Sequence, residues 1–354
     1  MISICMIVKD ESEILENSLK SISKYGYEII IVDTGSTDNT KDIAYKYTDK
    51  VYDFIWEKDF SKARNFSIDK ASNEYILVLD ADEVVINTDK KLLEKNICKD
   101  KVGRILIVNR YSNNSEIFES REKISRFFCK SLFKYEGIIH EQIVSKSGED
   151  YLTYDIPVTI EHSGYEKKQL DRKDKINRNI ELLKSELEIK GLDPYILYQL
   201  GKSYYVEKNY EMAEHYFSRV IDFDLNTKLE YVQDMIECYG YTLINQDKCK
   251  EAMSLLGVYS EFNNSADFVF LVGHIYMNNG YFDKAIEEFE KAKKYKNCKT
   301  KGVNDYLANY NIGLILECLG KIDEAIKYYE KSKCYKLSTE RIKLLTKGSI
   351  RDNR

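Results

Sequence analysis

Short apolar runs alternate with amphipathic ones through the first 85 residues, and no other feature of the chain restricts its fold as much. Ile2 to Val8 is an apolar run of strand length, stopped by Lys9, Asp10 and Glu11. Ser12 to Lys24 then carries Leu15, Leu19 and Ile22 at helical spacing. Ile29 to Val32 reads as a second strand, ended by Asp33-Thr34-Gly35-Ser36. Ser36 or Thr37 is placed to cap a helix with Ile43, Ala44 and Tyr47 on its inner face. Val51 to Trp56 is the third strand, Asp59 caps a helix bearing Phe60, Ala63, Ser67 and Ala71, and Tyr75 to Leu79 is the fourth strand. Units this short imply βαβ crossovers and a mostly parallel sheet flanked by helices. Such sheets bind ligands at the carboxyl ends of their strands. Asp33 and Asp80 both fall at such ends.

After Tyr165 the pattern changes, and helix formers, Tyr, Glu and Lys take over. Gly201, Gly240, Gly273 and Gly313 each stand twelve residues before an alanine, namely Ala213, Ala252, Ala285 and Ala325. Four residues past each alanine is a large side chain: Phe217, Leu256, Phe289 or Tyr329. The register resembles the tetratricopeptide repeat, where small residues let two antiparallel helices approach and large ones fill the gap. The copy around Gly240 is degenerate, and the glycine spacings of 39, 33 and 40 leave room for longer loops.

Composition narrows the function classes. The net charge of −5 supplies no global field for nucleic acid or an anionic membrane. No apolar run is long enough to span a bilayer, and Ile2 to Val8 lacks the flanks of a signal peptide. The eight scattered cysteines form no CxxC pair, which fits reduced thiols and a cytoplasmic protein. Gly26 and Gly35 are the only glycines before Gly103, so neither a GxGxxG turn nor a P-loop is present to cradle phosphate. A divalent cation, Mg²⁺ or Mn²⁺, held by carboxylates is the common alternative.

The fragments "SICMIVKDE", "IIIVDTGSTDNT", "DFSKARNFSIDKA", "YILVLDADE" and "YEGIIHEQI" stand in that order over roughly residues 1 to 165. Together they resemble family 2 glycosyltransferases with the GT-A fold. The repeat extension and the "HEQ" segment look most like the bacterial subgroup that includes peptide S-glycosyltransferases of glycosylated bacteriocins. Lipopolysaccharide-core transferases share some of these motifs.

The resemblance implies a role for each matching residue. Val8 and Glu11 fall where the family contacts the nucleotide, Asp33 where it binds the base, and Arg64 where a basic side chain contacts the donor. Asp80 and Asp82 match the D-x-D pair, the first near ribose or metal-bound water, the second a direct ligand. His162 fits a histidine that completes the metal sphere. His140 and Glu141 match the acceptor segment, in which a carboxylate serves as general base. The pattern assigns Glu83 no role. The chain departs from the processive synthases, since its single tryptophan, Trp56, excludes a QxxRW segment.

Blander readings stand beside these. Asp80 and Asp82 could cap a helix, Asp33 could close an Asx turn before Gly35, and Arg64 could pair with a surface acid. Glu141 could be a rim residue and His162 a hydrogen-bonded strand end. The expectation is a catalytic domain over 1–165, a linking helix over 166–190, helical repeats over 191–340 and a tail over 341–354. The function expected is metal-dependent, inverting transfer of a sugar, from a UDP-linked donor, to a peptide or protein held by the repeats. A lipopolysaccharide or cell-surface saccharide acceptor is the second reading, and a non-catalytic binding module the third. Repeat surfaces also leave self-association open.

Overall fold

The computed structural model describes residues 1–113, 116–163 and 169–349. The chain divides into two compact units, Met1–Ile189 and Lys190–Arg354.

In the first unit, β1 (Ile2–Val8), β2 (Glu28–Asp33), β3 (Val51–Asp53) and β4 (Tyr75–Val78) alternate with α1 (Leu15–Ser23), α2 (Thr40–Tyr45) and α3 (Phe60–Lys70). The continuous apolar character of β1 has a simple cause. Ile2, Ile4, Met6 and Val8 enter one core with Leu15, Leu19 and Ile22 of α1, while Cys5 enters the other with Ile68 of α3 and Ala71 just past its end. A strand covered on both faces has no polar side to show. Asp59 caps α3 as the sequence predicts, its carboxylate accepting from the Lys62 amide at 3.0 Å. The cap of α2 differs. Ser36 and Thr37 are drawn away to Asp10, and Asp38 instead accepts from the Thr40 amide at 2.9 Å.

Past β4 the chain forms β5 (Glu83–Thr88), α4 (Lys90–Lys95), β6 (Lys101–Asn113), β7 (Glu116–Cys129), β8 (Phe133–Glu136), β9 (Gln142–Ser145), β10 (Leu152–Ser163) and α5 (Gln169–Lys190). The main sheet runs β3-β2-β1-β4-β7-β6-β10-β5, and β8 with β9 makes a separate hairpin. The sheet is therefore mixed. It is parallel from β3 to β4 and turns antiparallel where β7 joins β4. Beyond, β10 runs parallel to β6 and antiparallel to β5.

The second unit holds α6 (Pro194–Val206), α7 (Tyr210–Ile221), α8 (Glu230–Asn245), α9 (Cys249–Ala252), α10 (Tyr259–Phe262), α11 (Ala266–Asn278), α12 (Phe282–Ala292), α13 (Tyr306–Cys318), α14 (Ile322–Lys331) and α15 (Lys336–Ser349). The helices α6 and α7, α11 and α12, and α13 and α14 form hairpins with aromatic rings pressed on glycines. A Cβ on Gly201, Gly273 or Gly313 would stand 2.6 Å from Phe217, Phe289 or Tyr329. The degenerate copy corrects one expectation: Gly240 packs on Leu255 and Leu271, not on Leu256. Its second helix gives way after Ala252 to a 3₁₀ turn, Met253–Val258. With three residues per turn, the inward position falls three residues after Ala252 instead of four. The stretch expected as a tail is helical to Ser349, because Ile342 and Leu345 pack on the α13/α14 core; residues 350–354 lie outside the described residues. Residues 164–168, at the start of the expected linking helix, also lie outside them.

Candidate active site

Two loops meet at the carboxyl ends of β1 and β2. The Val8 carbonyl accepts from both the Thr34 amide, at 3.0 Å, and the Thr34 hydroxyl, at 3.1 Å. Asp10, with φ of 52°, donates its amide to the Ser36 hydroxyl, and its carboxylate accepts from the Thr37 amide at 2.7 Å. The Glu11 amide donates to the Thr40 hydroxyl at 2.8 Å. Val8, Glu11 and Asp33 are thus brought together on stitched loops. Asp33 is buried, and its Oδ1 accepts from the Gly35 and Ser36 amides, both at 2.9 Å. That is the Asx turn the sequence allows. Its Oδ2, however, is buried with no hydrogen-bond partner. A carboxylate oxygen left unpaired in the interior costs about 1–3 kcal/mol, so a turn alone does not account for an aspartate here.

Asp80 leaves the end of β4 between the buried Arg64 and the largely buried Arg126. Arg64, on α3, donates from Nη2 to Asp80 Oδ1 at 2.8 Å, and from Nε to Glu141. Arg126, on β7, donates from Nη2 to Asp80 Oδ2 at 2.8 Å and to Glu83 Oε1 at 3.2 Å. The other Glu83 oxygen accepts from the Asp80 amide at 2.8 Å. Burial pushes the Asp80 carboxyl up, but the charges of Arg64 and Arg126 outweigh it and hold the group well below the usual range. Glu83 moves the other way, raised by burial and by the charge of Asp80 despite Arg126. Both guanidinium groups are held more firmly protonated by these acids. Arg64 also lies 5.6 Å from the Tyr135 ring centre, and burial pushes the Tyr135 hydroxyl up to about 12.

Arg64, Asp80 and Glu141 are brought together; Arg126 is a member that sequence reasoning missed. Its signal is not local. Arg126 reaches Asp80 because β7 pairs antiparallel with β4, setting Phe127 against Leu77 next to the acids. Nothing in "SREKISRFF" announces that neighbour. Glu83, to which the motif gives no role, is the second acid of Arg126.

The second acid of the D-x-D pair faces another way. Asp82 Oδ2 lies 3.0 Å from His162 Nε2. Strand register explains it, because β10 sets His162 against Glu83 on one side and Asn109 on the other. His162 Nδ1 is 3.1 Å from Asn109 Oδ1, whose amide nitrogen donates to Glu122 at 2.6 Å. The amide nitrogen being committed, Asn109 offers its oxygen, so Nδ1 carries a proton, and the hydrogen bond to Asp82 requires a second proton on Nε2, as in the imidazolium form. Nε2 is then the nitrogen aimed at Asp82. That hydrogen bond raises the His162 pKa, and it pulls Asp82 below its ordinary value although burial opposes the shift. Among the described residues, no three His, Cys, Asp or Glu side chains gather as a ready metal cage. The donor set still suits a hard cation that keeps few protein ligands.

His140 and Glu141 sit on the loop after β8. Gly137, with φ of 111°, lets the chain turn so closely that a Cβ there would be 3.3 Å from Glu141 Cα. His140 also has a positive φ, 52°, and its carbonyl accepts from Gln142 Nε2 at 3.0 Å. The loop is pinned through the Ile138 carbonyl, which accepts from the Phe60 amide at 2.8 Å, and through the Ile138 amide, which donates to the buried Glu186.

Residues 3–161 match the family described as Glycosyl transferase family 2. Residues 194–227, 266–297 and 306–333 match the tetratricopeptide repeat, which picks out the three intact hairpins and skips the broken one. The chain thus carries a family 2 glycosyltransferase domain followed by tetratricopeptide repeats. A TPR repeat-containing protein of Synechococcus elongatus is 29% identical over 230 residues, 62% of this chain and 56% of that one. The SPbeta prophage-derived glycosyltransferase SunS of Bacillus subtilis is 27% identical over 229 residues, 61% of this chain and 52% of that one. The chain spans about half the length of these curated relatives. A poly-beta-1,6-N-acetyl-D-glucosamine synthase of Staphylococcus epidermidis is 33% identical over 125 residues, 33% of this chain and 30% of that one. No helix among the described residues is long and apolar enough to cross a membrane.

Proposed function

We propose that the chain is an inverting glycosyltransferase that moves one sugar from a nucleotide donor, UDP-linked, to a peptide or protein acceptor recruited by its helical repeats. The observation that carries the reading is the trio of acids at neighbouring strand ends, each in a different electrostatic setting. Asp33 keeps one buried oxygen unpaired, Asp80 is neutralised by two arginines, and Asp82 faces an imidazole.

In this reading Val8, Glu11 and Asp33 hold the nucleoside. Asp82 and His162, once the proton between them is lost, form a carboxylate–imidazole pair for Mg²⁺ or Mn²⁺. Such a cation, when bound, neutralises charge growing on the leaving diphosphate. The acceptor heteroatom bonds to the anomeric carbon as the bond from that carbon to the diphosphate oxygen breaks, and the nucleoside diphosphate departs. The acceptor proton passes to a base on the 140–141 loop. Glu141 is engaged by Arg64, so its first task is to anchor that guanidinium, and accepting a proton requires the pair to open. Residues 194–333, with three matched repeats, support a peptide acceptor, since concave repeat surfaces suit extended segments. The eight free cysteines accord with a cytoplasmic reaction.

Intact-mass measurement of candidate peptides incubated with a panel of nucleotide sugars and Mn²⁺ tests the proposal. One sugar mass added by the wild type, and none by Asp82→Ala with its fold retained, is the expected result. Modification of a glycolipid or saccharide alone would replace the acceptor assignment. Wild-type protein that neither hydrolyses nor transfers from any donor would overturn the enzymatic reading.

A further inference from the structure

Arg126, its side chain 12% exposed, carries two carboxylates on one guanidinium and has no part in the sugar transfer proposed for the site. Buried arginines are expensive, because desolvation costs several kcal/mol per ion before any pairing is counted. Here the arrangement is also lopsided. Arg126 Nε is buried without a partner, so the side chain sacrifices one donor while its Nη2 serves both Asp80 and Glu83.

The effect falls on Asp80. Arg64 takes Oδ1 and Arg126 takes Oδ2, each at 2.8 Å, so both oxygens are committed to charge-assisted hydrogen bonds. A dication on either oxygen would share it with a guanidinium and stand a few ångströms from two fixed positive charges. Asp82, by contrast, has an imidazole and not a guanidinium as its partner.

Resting on the reading of these acids as a nucleotide-sugar site, we propose that Arg126 is a positioning residue. Together with Arg64 it occupies both oxygens of Asp80 and so confines the divalent cation to Asp82 and His162. The first acid of the D-x-D pair becomes an internal anchor, joining β7, the end of β4, α3 and the Glu141 loop through one string of ion pairs.

The test is direct binding of Mn²⁺ in the presence of UDP, followed by the paramagnetic resonance of free Mn²⁺, which needs no turnover. Arg126→Met alone would leave Asp80 and Glu83 facing each other, so it is combined with Glu83→Gln; Asp80 then keeps Arg64 and frees Oδ2. Expected is Mn²⁺ binding tighter by about tenfold, the scale at which residues behind a metal's ligands act. Adding Asp80→Asn should cancel the gain, and Arg126→Lys alone should stay near wild type. A merely structural arginine would lower the melting temperature and leave Mn²⁺ affinity unmoved, and that outcome overturns the proposal. So would a gain that survives Asp80→Asn, or wild-type protein that binds no Mn²⁺ with UDP. Absent sugar transfer with the predicted Mn²⁺ pattern would instead overturn only the enzymatic reading.

Discussion

Glu237, on α8, offers a sharp test of the repeat unit. Its side chain is 8% exposed, and its Oε1 accepts from Gln233 Nε2 at 3.1 Å and from Ser265 Oγ at 3.3 Å. Burial, and then the charge of Asp267, push its pKa from 4.5 up to about 7, against small opposing contributions from those hydrogen bonds and from Lys202. The folded state therefore holds a proton that the unfolded chain has released between those two values. Protons bound only when folded mean that stability falls as pH rises from about 4.5 through about 7. A tenfold change in proton affinity is worth about 1.36 kcal/mol, so the ionised group costs about 3 kcal/mol at pH 8 and under ~1 kcal/mol at pH 5. Glu237→Gln keeps an acceptor oxygen and removes the charge. Hydrogen exchange read by mass spectrometry over Glu230–Asn245 should then be roughly a hundredfold slower in the variant at pH 8, and close to wild type at pH 5. Equal differences at the two pH values, or a variant that exchanges faster at pH 8, would refute the assignment.

Other expectations follow from the same geometry. Asp33→Asn keeps an oxygen for the Gly35 and Ser36 amides but loses the charge, so UDP affinity measured by calorimetry should fall by about 1–3 kcal/mol with the melting temperature held. Arg64→Met takes the guanidinium from the largely buried Glu141 and leaves Asp80 with Arg126 alone, and should cost about 3–5 kcal/mol in urea unfolding. Gly273→Ala drives a Cβ to 2.6 Å from Phe289 and should cost about 1–3 kcal/mol, whereas Gly257→Ala enters open space and should stay within about 0.5 kcal/mol. Asp82→Asn and His162→Ala should each weaken Mn²⁺ binding, and the double variant should lose less than their sum, since the two side chains share one contact.

Local pattern made the parallel half of the sheet readable. The run Ile2–Val8 matches β1 end to end, and Asp59 announces α3, because both signals lie in contiguous residues. The repeats were legible for a similar reason, since each glycine and its ring are drawn from one hairpin. What escaped depends on pairing across the chain. Arg126 joins Asp80 only through β7 on β4, and the Asn109–His162 contact only through β6 on β10. The Leu255 shift needed knowledge of a 3₁₀ turn that composition does not mark. For Asp80 the sequence located the residue but could not show that arginines hold both its oxygens.

The place where β7 joins β4 also bears on how the chain is made. Asp80 is 46 residues ahead of Arg126, and Asp82 is 80 ahead of His162. A chain emerging from the ribosome therefore exposes its β1–β4 half with three carboxylates and neither of these partners. Until β7 and β10 have emerged, Arg64 alone offsets the negative charge of the strand end, and β4 has a free edge open to mispairing. The first four strands can lay out a nucleotide pocket early, but the centre between the arginines and the imidazole is completed only by some of the last strands of the domain.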